Sequence, residues 1–235
     1  LAQYLEIGWA SPEVVTTRAL FTEPMRSLRR HDLHFVTLDE KTGEILGYIT
    51  LAQNADPQPV SVRDHESRHR FPVEGAHEVD LFGAVDAPAE LTTHEVYEIK
   101  RFVHACWLDD AQRRLQISLE LILAVTRTLE SCTPRIRALV GDAEASVALR
   151  HLLMMGLNVT SVTGTDPRLN RDNILYPTYA TRDVVEPFYA RVPAPSGLSH
   201  RAACLEEVLS SSSPPTALRE LLREVRGTVE RVAVR

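Results

Sequence analysis

The feature that most constrains the fold is a change of hydrophobic period between residues 94 and 162. Residues 94–104, His-Glu-Val-Tyr-Glu-Ile-Lys-Arg-Phe-Val-His, alternate as a strand does. Unbroken alternation places Val96, Glu98, Lys100 and Phe102 on one face, and Glu95, Tyr97, Ile99, Arg101 and Val103 on the other. Residues 109–131 switch to helical spacing: Asp109-Asp110 open the segment, and Leu115, Leu119, Ile122 and Val125 recur along one side. Arg137 to Val140 read as a buried strand, Ala143 to Met155 as a helix stopped by Gly156, and Leu157 to Val162 as a further strand. Strand, helix, strand, helix, strand in that order predicts an α/β (α+β) domain, a central sheet flanked by helices.

The flanks add to this order. Ser11-Pro12-Glu13 is a cap, proline and acid that start a helix expected over 12–29 and interrupted near Pro24. Leu33 to Leu38 and Ile45 to Leu51 surround a polar, glycine-containing turn and predict a hairpin. From Asn54 to Asp80 the chain is polar, with Pro57, Pro59 and Pro72, and reads as a long surface excursion. After Gly164 a β-prone stretch is expected at Asn173 to Tyr179 and a helix at Asp183 to Tyr189. The prolines at 193 and 195 separate a core, residues 1–192, from a C-terminal helical extension, 193–235. That extension carries expected helices over 199–209 and 215–231, joined by a Ser210 to Ser213 linker. It could dock on the core or on a second copy in a homodimer.

Composition narrows the function. With 44% hydrophobic and 25% charged residues the 235-residue chain can build a core, and a net charge of -6 argues against a general nucleic-acid binder. Its 3 cysteines, Cys106, Cys132 and Cys204, lack the close spacing of a zinc or redox motif and read as reduced thiols. No apolar run approaches the roughly 20 residues that span a bilayer, and Leu1-Ala2-Gln3-Tyr4-Leu5-Glu6 does not have the basic-then-apolar order of a signal peptide, so a cytoplasmic location is expected.

The hairpin ending in Gly47-Tyr48-Ile49-Thr50-Leu51, the strand Glu95 to Val103, and the run from Gly141-Asp142-Ala143-Glu144-Ala145-Ser146 through Leu152-Leu153-Met154-Met155-Gly156-Leu157 together resemble the core of the GNAT superfamily of acyltransferases. The resemblance covers about half the chain and implies a mixed sheet that handles an acyl thioester. His104 to Leu115 holds no glycine, whereas CoA-dependent members carry a glycine-rich pyrophosphate loop there. Glu98-Ile99-Lys100-Arg101-Phe102-Val103 is instead similar to the stretch of acyl-homoserine-lactone synthases and long-chain N-acyl amino acid synthases. Those relatives draw on acyl carrier proteins. Thr50 stands where the synthase branch has arginine, so S-adenosylmethionine is not carried over as substrate.

The resemblance implies an N-acyltransferase moving an acyl group from acyl carrier protein or acyl-CoA to the amine of a small molecule, with no permanently bound cofactor. The alternative it leaves open is a GNAT-like binding or regulatory module that has lost catalysis. By position, Glu98 would be base or substrate anchor and Arg101 its organiser, although the two also fit a plain ion pair within the sheet. Tyr176 falls where the superfamily often places a general acid. Phe102 and Val103 would line the thioester path, and Arg113 and Arg114 would meet a phosphate or an acidic carrier, unless they simply form a solvated helix turn.

Two further clusters carry plainer readings. His65, His69 and His77 with Glu66, Glu74 and Asp80 could be drawn as a metal site, but the segment suits a solvated mixed-charge face, and no metal is expected. Cys106 with His104 would share a strand face if the strand ran on, yet a packed thiol accounts for it.

Overall fold

The computed structural model describes residues 1–6, 8–19, 31–144, 148–167, 169–180, 185–211, 214–224 and 229–234. A seven-stranded mixed sheet organises the chain, in the order β1-β2-β3-β4-β6-β5-β7. Its strands are β1 (Leu33–Leu38), β2 (Ile45–Gln53), β3 (Val96–His104), β4 (Ala138–Glu144), β5 (Asn158–Thr163), β6 (Val185–Arg191) and β7 (Glu230–Ala233). The β3–β4 and β5–β7 pairs are parallel and the others antiparallel.

One face of the sheet carries α5 (Ala111–Ser131), α6 (Ala148–Met154) and α8 (Pro195–Ser210), which close a core of Ile49, Leu51, Leu139 and Phe188 against Ile117, Leu121, Ile122, Leu152 and Leu205. The Asp110 side chain caps α5, accepting from the amides of Gln112 and Arg113. At Gly47 an added Cβ would lie 2.4 Å from the Ile117 side chain, so glycine is what lets α5 approach the hairpin. α8 packs on α5 beside α9 (Pro214–Glu224), and β7 pairs with β5. α1 (Ala2–Glu6) and α2 (Pro12–Thr17) precede the hairpin, and the remainder of the helix expected over 12–29 lies outside the described residues beyond Ala19.

The opposite face is covered by the segment read from sequence as a surface excursion. α3 (Pro72–His77), α4 (Leu81–Ala84) and their loops bury Val62, Phe71, Val73, Leu81, Phe82 and Leu91 on Val96, Val140 and Tyr189 of the sheet. The apolar residues there follow no single period, which is why the polar composition dominated the reading. Arg68 organises this layer from within. Its guanidinium donates to both carboxylate oxygens of Glu74 at 2.6 and 2.7 Å, and its Nε donates to the Val62 carbonyl at 2.7 Å. Glu74 accepts in turn from the amides of Phe71 and Leu81, and the Arg68 guanidinium lies 4.9 Å over the Phe82 ring.

Three other expectations change. Asp183 to Tyr189 is not a helix: Val185–Arg191 is β6, inside the sheet, and 181–184 lie outside the described residues. Asn173 to Tyr179 is not extended: Tyr176–Ala180 form the short helix α7, with Pro177 in its first turn. The last expected helix stops at Glu224, residues 225–228 are outside the described set, and the β-branched end forms β7.

Because both charges of the Arg68–Glu74 pair are buried, Arg68→Met leaves an uncompensated carboxylate under the sheet and is expected to lower unfolding free energy by about 3–5 kcal/mol in urea denaturation. A loss below about 1 kcal/mol would mark the pair as no stronger than a surface bridge.

Candidate active site

β3 and β4 run side by side for a short distance and then part. Their ladder consists of Val96–Ala138, Tyr97–Leu139 and Glu98–Val140, although β3 continues to His104 and β4 to Glu144. Along the other edge of β3, Lys100 pairs with Thr50 and Val103 with Tyr48, so β3 spends one residue more than β2 over that interval. This is a β-bulge, and Arg101 sits in it with φ 58, an uncommon conformation for a residue bearing a Cβ. The bulge inverts the alternation expected from the sequence: Val103 shares the face of Lys100, while Phe102 and His104 turn to the helical face.

Glu98 stands at the last rung before the strands separate. The residue is 6% exposed, and its Oε2 has no hydrogen-bond partner. Burial, opposed by Lys100 and reinforced by the Asp142 carboxylate, raises its pKa to about 8, while a hydrogen bond from the Val73 backbone at the start of α3 pulls the other way. Lys100 Nζ is 3.8 Å from Oε2, an ion-pair distance beyond hydrogen-bond reach. Glu98 and Lys100 line a pocket with Ala52, Gln53, Asn54, Arg70, Phe71 and Pro72. A partly protonated carboxyl, two cationic side chains and an apolar wall therefore meet in one recess.

A second set of polar groups gathers on the same side of the sheet, and sequence reasoning missed it. Asp142 lies in β4, and Ala143 and Glu144, expected to open a helix, belong to the same strand. Its Oδ2 accepts a 2.5 Å hydrogen bond from the Tyr179 phenol of α7 and lies 3.3 Å from His77 Nε2, whose Nδ1 is 3.0 Å from Thr165 Oγ1. Burial, then the Asp142 charge, push the Tyr179 phenol well up, so it remains a donor. His77 and Glu74 are thus buried, in contrast to the solvated face expected for them, because the α3 layer supplies each with partners. Glu74 is paired with Arg68; among the described residues no three His, Cys, Asp or Glu side chains converge as a metal-ligand set.

The remaining sequence candidates distribute unevenly. Tyr176 opens α7 half-buried, and it is Tyr179 of that helix that reaches Asp142. Phe102 packs edge-on against His151 of α6 at 4.9 Å. His104 pairs with Ser118 of α5 at 2.8 Å. Burial depresses both imidazoles, His151 to about 4. Cys106 is half-buried beyond the end of the strand. Arg113 and Arg114 flank the start of α5, with Arg114 exposed and 3.5 Å from the Asp109 carbonyl. The amides at that helix start are engaged by Asp110 at 2.8 and 3.3 Å. Among the described residues no helix is long and apolar enough to cross a membrane.

No family model and no curated protein matches this sequence. Among solved structures the chain is similar to MesI, a CoA-dependent acyl-homoserine lactone synthase, at 14% identity over 87% of each chain with a TM-score of 0.42. It is also similar to BjaI, a CoA-dependent acyl-homoserine lactone synthase solved with SAM and isopentyl-CoA, at 13% identity over 94% of this chain and 81% of that one, TM-score 0.45. The acyl-homoserine lactone synthase LasI aligns at 16% identity over 67% of this chain and 64% of its own, TM-score 0.38.

Proposed function

We propose that the chain is an N-acyltransferase that moves an acyl group from a thioester to the amine of a small molecule, with Glu98 as general base. The observation that carries this reading is the buried, unpartnered Glu98 oxygen at the point where β3 and β4 diverge. Attack on a thioester requires an uncharged amine, so its proton must go to a nearby acceptor. A carboxyl with a pKa of about 8 is close enough to an alkylamine to take that proton, whereas a solvated carboxylate is several units too weak a base. The new C–N bond forms as the C–S bond breaks, the amine proton goes to Glu98, and the thiolate departs to be protonated by solvent or a neighbouring donor. Lys100 and Arg70 suit an acceptor that also carries negative charge.

For the donor, the start of α5 is informative. Asp110 already fills the helix N-terminus with its own carboxylate, and Asp109 adds a second negative charge, so a pyrophosphate is disfavoured at that end. This favours a donor presented on a carrier protein over free acyl-CoA, with Arg113 and Arg114 available to an acidic surface. The separated ends of β3 and β4, bordered by Phe102, would take the thioester arm, and Arg101 in the bulge would fix the strand curvature there.

Glu98→Gln is expected to reduce kcat/KM for acyl transfer by about 10²–10⁴-fold while leaving the fold intact. In the unsubstituted protein kcat/KM should rise as pH passes through about 8, because the base works only when ionised. A Glu98→Gln protein with full activity would remove Glu98 from the reaction. Asp110→Asn retains a capping side chain without its charge, and is expected to lower KM for acyl-CoA severalfold with no change for acyl carrier protein. Equal effects on both donors would contradict the assignment of the helix start.

A further inference from the structure

Glu98 and Asp142 enter the site from the two strands that separate. Asp142 is the next same-face residue on β4 after Val140, the in-register neighbour of Glu98. Strand spacing and rise put their α-carbons roughly 8 Å apart. Glu98 is 6% exposed and the Asp142 side chain 22%, so solvent screens the pair less than it would two surface carboxyls. Asp142 is not free to turn away. The Tyr179 phenol from α7 and the His77 imidazole from α3 converge on one of its oxygens, and Thr165 fixes the far side of the imidazole. The Tyr179 phenol donates to that oxygen, so the position of the Asp142 carboxyl beside β3 is fixed from two elements.

We propose that Asp142, fixed by Tyr179 and His77, is a positioning residue whose negative charge keeps Glu98 basic enough to take a proton from an amine. The inference rests on the acyl-transfer reading for its purpose but not for its test. The groups facing Glu98 assign the effect to Asp142. Lys100 on its own strand opposes the effect, and Glu74 from α3 has its charge matched by Arg68. The start of α3 contributes the Val73 amide, β2 contributes uncharged Ala52 and Gln53, Arg70 sits across the pocket, and Tyr179 is a neutral donor. Of these groups Asp142 is the carboxyl held by a phenol and an imidazole and by no lysine or arginine among the described residues.

The test is a carbon-13 NMR titration of the full chain labelled at the glutamate side-chain carboxyl, with the Glu98 signal identified by its loss in Glu98→Gln. Asp142→Asn is expected to lower the Glu98 midpoint by about one pH unit. Tyr179→Phe, which removes a donor but keeps the charge, should not lower it, and Lys100→Met should raise it. Asp142→Ser is a second uncharged replacement, with the same expected shift, if the asparagine variant does not fold. An unmoved midpoint in a folded, uncharged Asp142 variant overturns the inference. The titration needs no turnover. Shifts as stated in a protein that transfers no acyl group would sink the acyl-transfer reading and leave the electrostatic coupling standing; transfer with an unmoved midpoint would do the reverse.

Discussion

Everything proposed for this molecule depends on the β3–β4 ladder ending at Glu98 and Val140. Two parallel strands that stay paired give a closed sheet with no room between them. Two that part leave backbone and side chains of both edges facing a gap. Here the parting is reinforced by the bulge at Arg101, which turns the remainder of β3 so that Phe102 and His104 face α5 and α6. Glu98 is therefore the last side chain of β3 held by sheet pairing on both sides before the opening.

The opening would be of little chemical use if water filled it. The layer built from residues 54–91 buries Glu98 to all but a small fraction of its surface, and its own integrity rests on Arg68. That guanidinium neutralises Glu74, ties the Val62 carbonyl and stacks over Phe82, so a polar segment can lie flat on an apolar sheet face. The same layer delivers two elements to the site, the Val73 amide against Glu98 and the His77 imidazole against Asp142. Packing and electrostatics are thus coupled: what buries Glu98 also fixes the charge beside it.

Much of the framework was legible in the sequence. The hairpin, β3 and α5 show clean periods of two or near 3.6, and β1, β2, β3 and α5 form where those periods predict. β6 was not legible, because Pro187 argues against a central strand. The structure accommodates it because β5 pairs with β6 only from Phe188 onward, so Pro187 has β4 alone beside it and needs no second ladder donor. Of the site, Glu98 and Arg101 could be singled out because charges in an alternating strand invite a question, whereas Asp142, His77 and Tyr179 come from β4, α3 and α7 and meet through tertiary packing alone. The bulge likewise leaves no local mark: Arg101 is neither glycine nor asparagine, and nothing in its neighbours announces a left-handed backbone.

The central claim is that Glu98 is held as a buried acid whose ionisation is opposed by the fold, and its most direct test is unfolding free energy against pH for the unsubstituted protein and Glu98→Gln. A carboxyl raised from 4.5 to about 8 on folding binds more protons in the native state between those values, so its contribution to stability falls as pH rises through that window. The neutral glutamine is spared this loss. Glu98→Gln should therefore become progressively more stable than the unsubstituted protein from about pH 5 upward, with the gap levelling off above about pH 8. A stability difference that does not move toward Glu98→Gln between about pH 5 and pH 8, or that moves toward the parent as pH rises, would show instead that Glu98 is an ionised partner of Lys100, a structural charge and not a base in waiting.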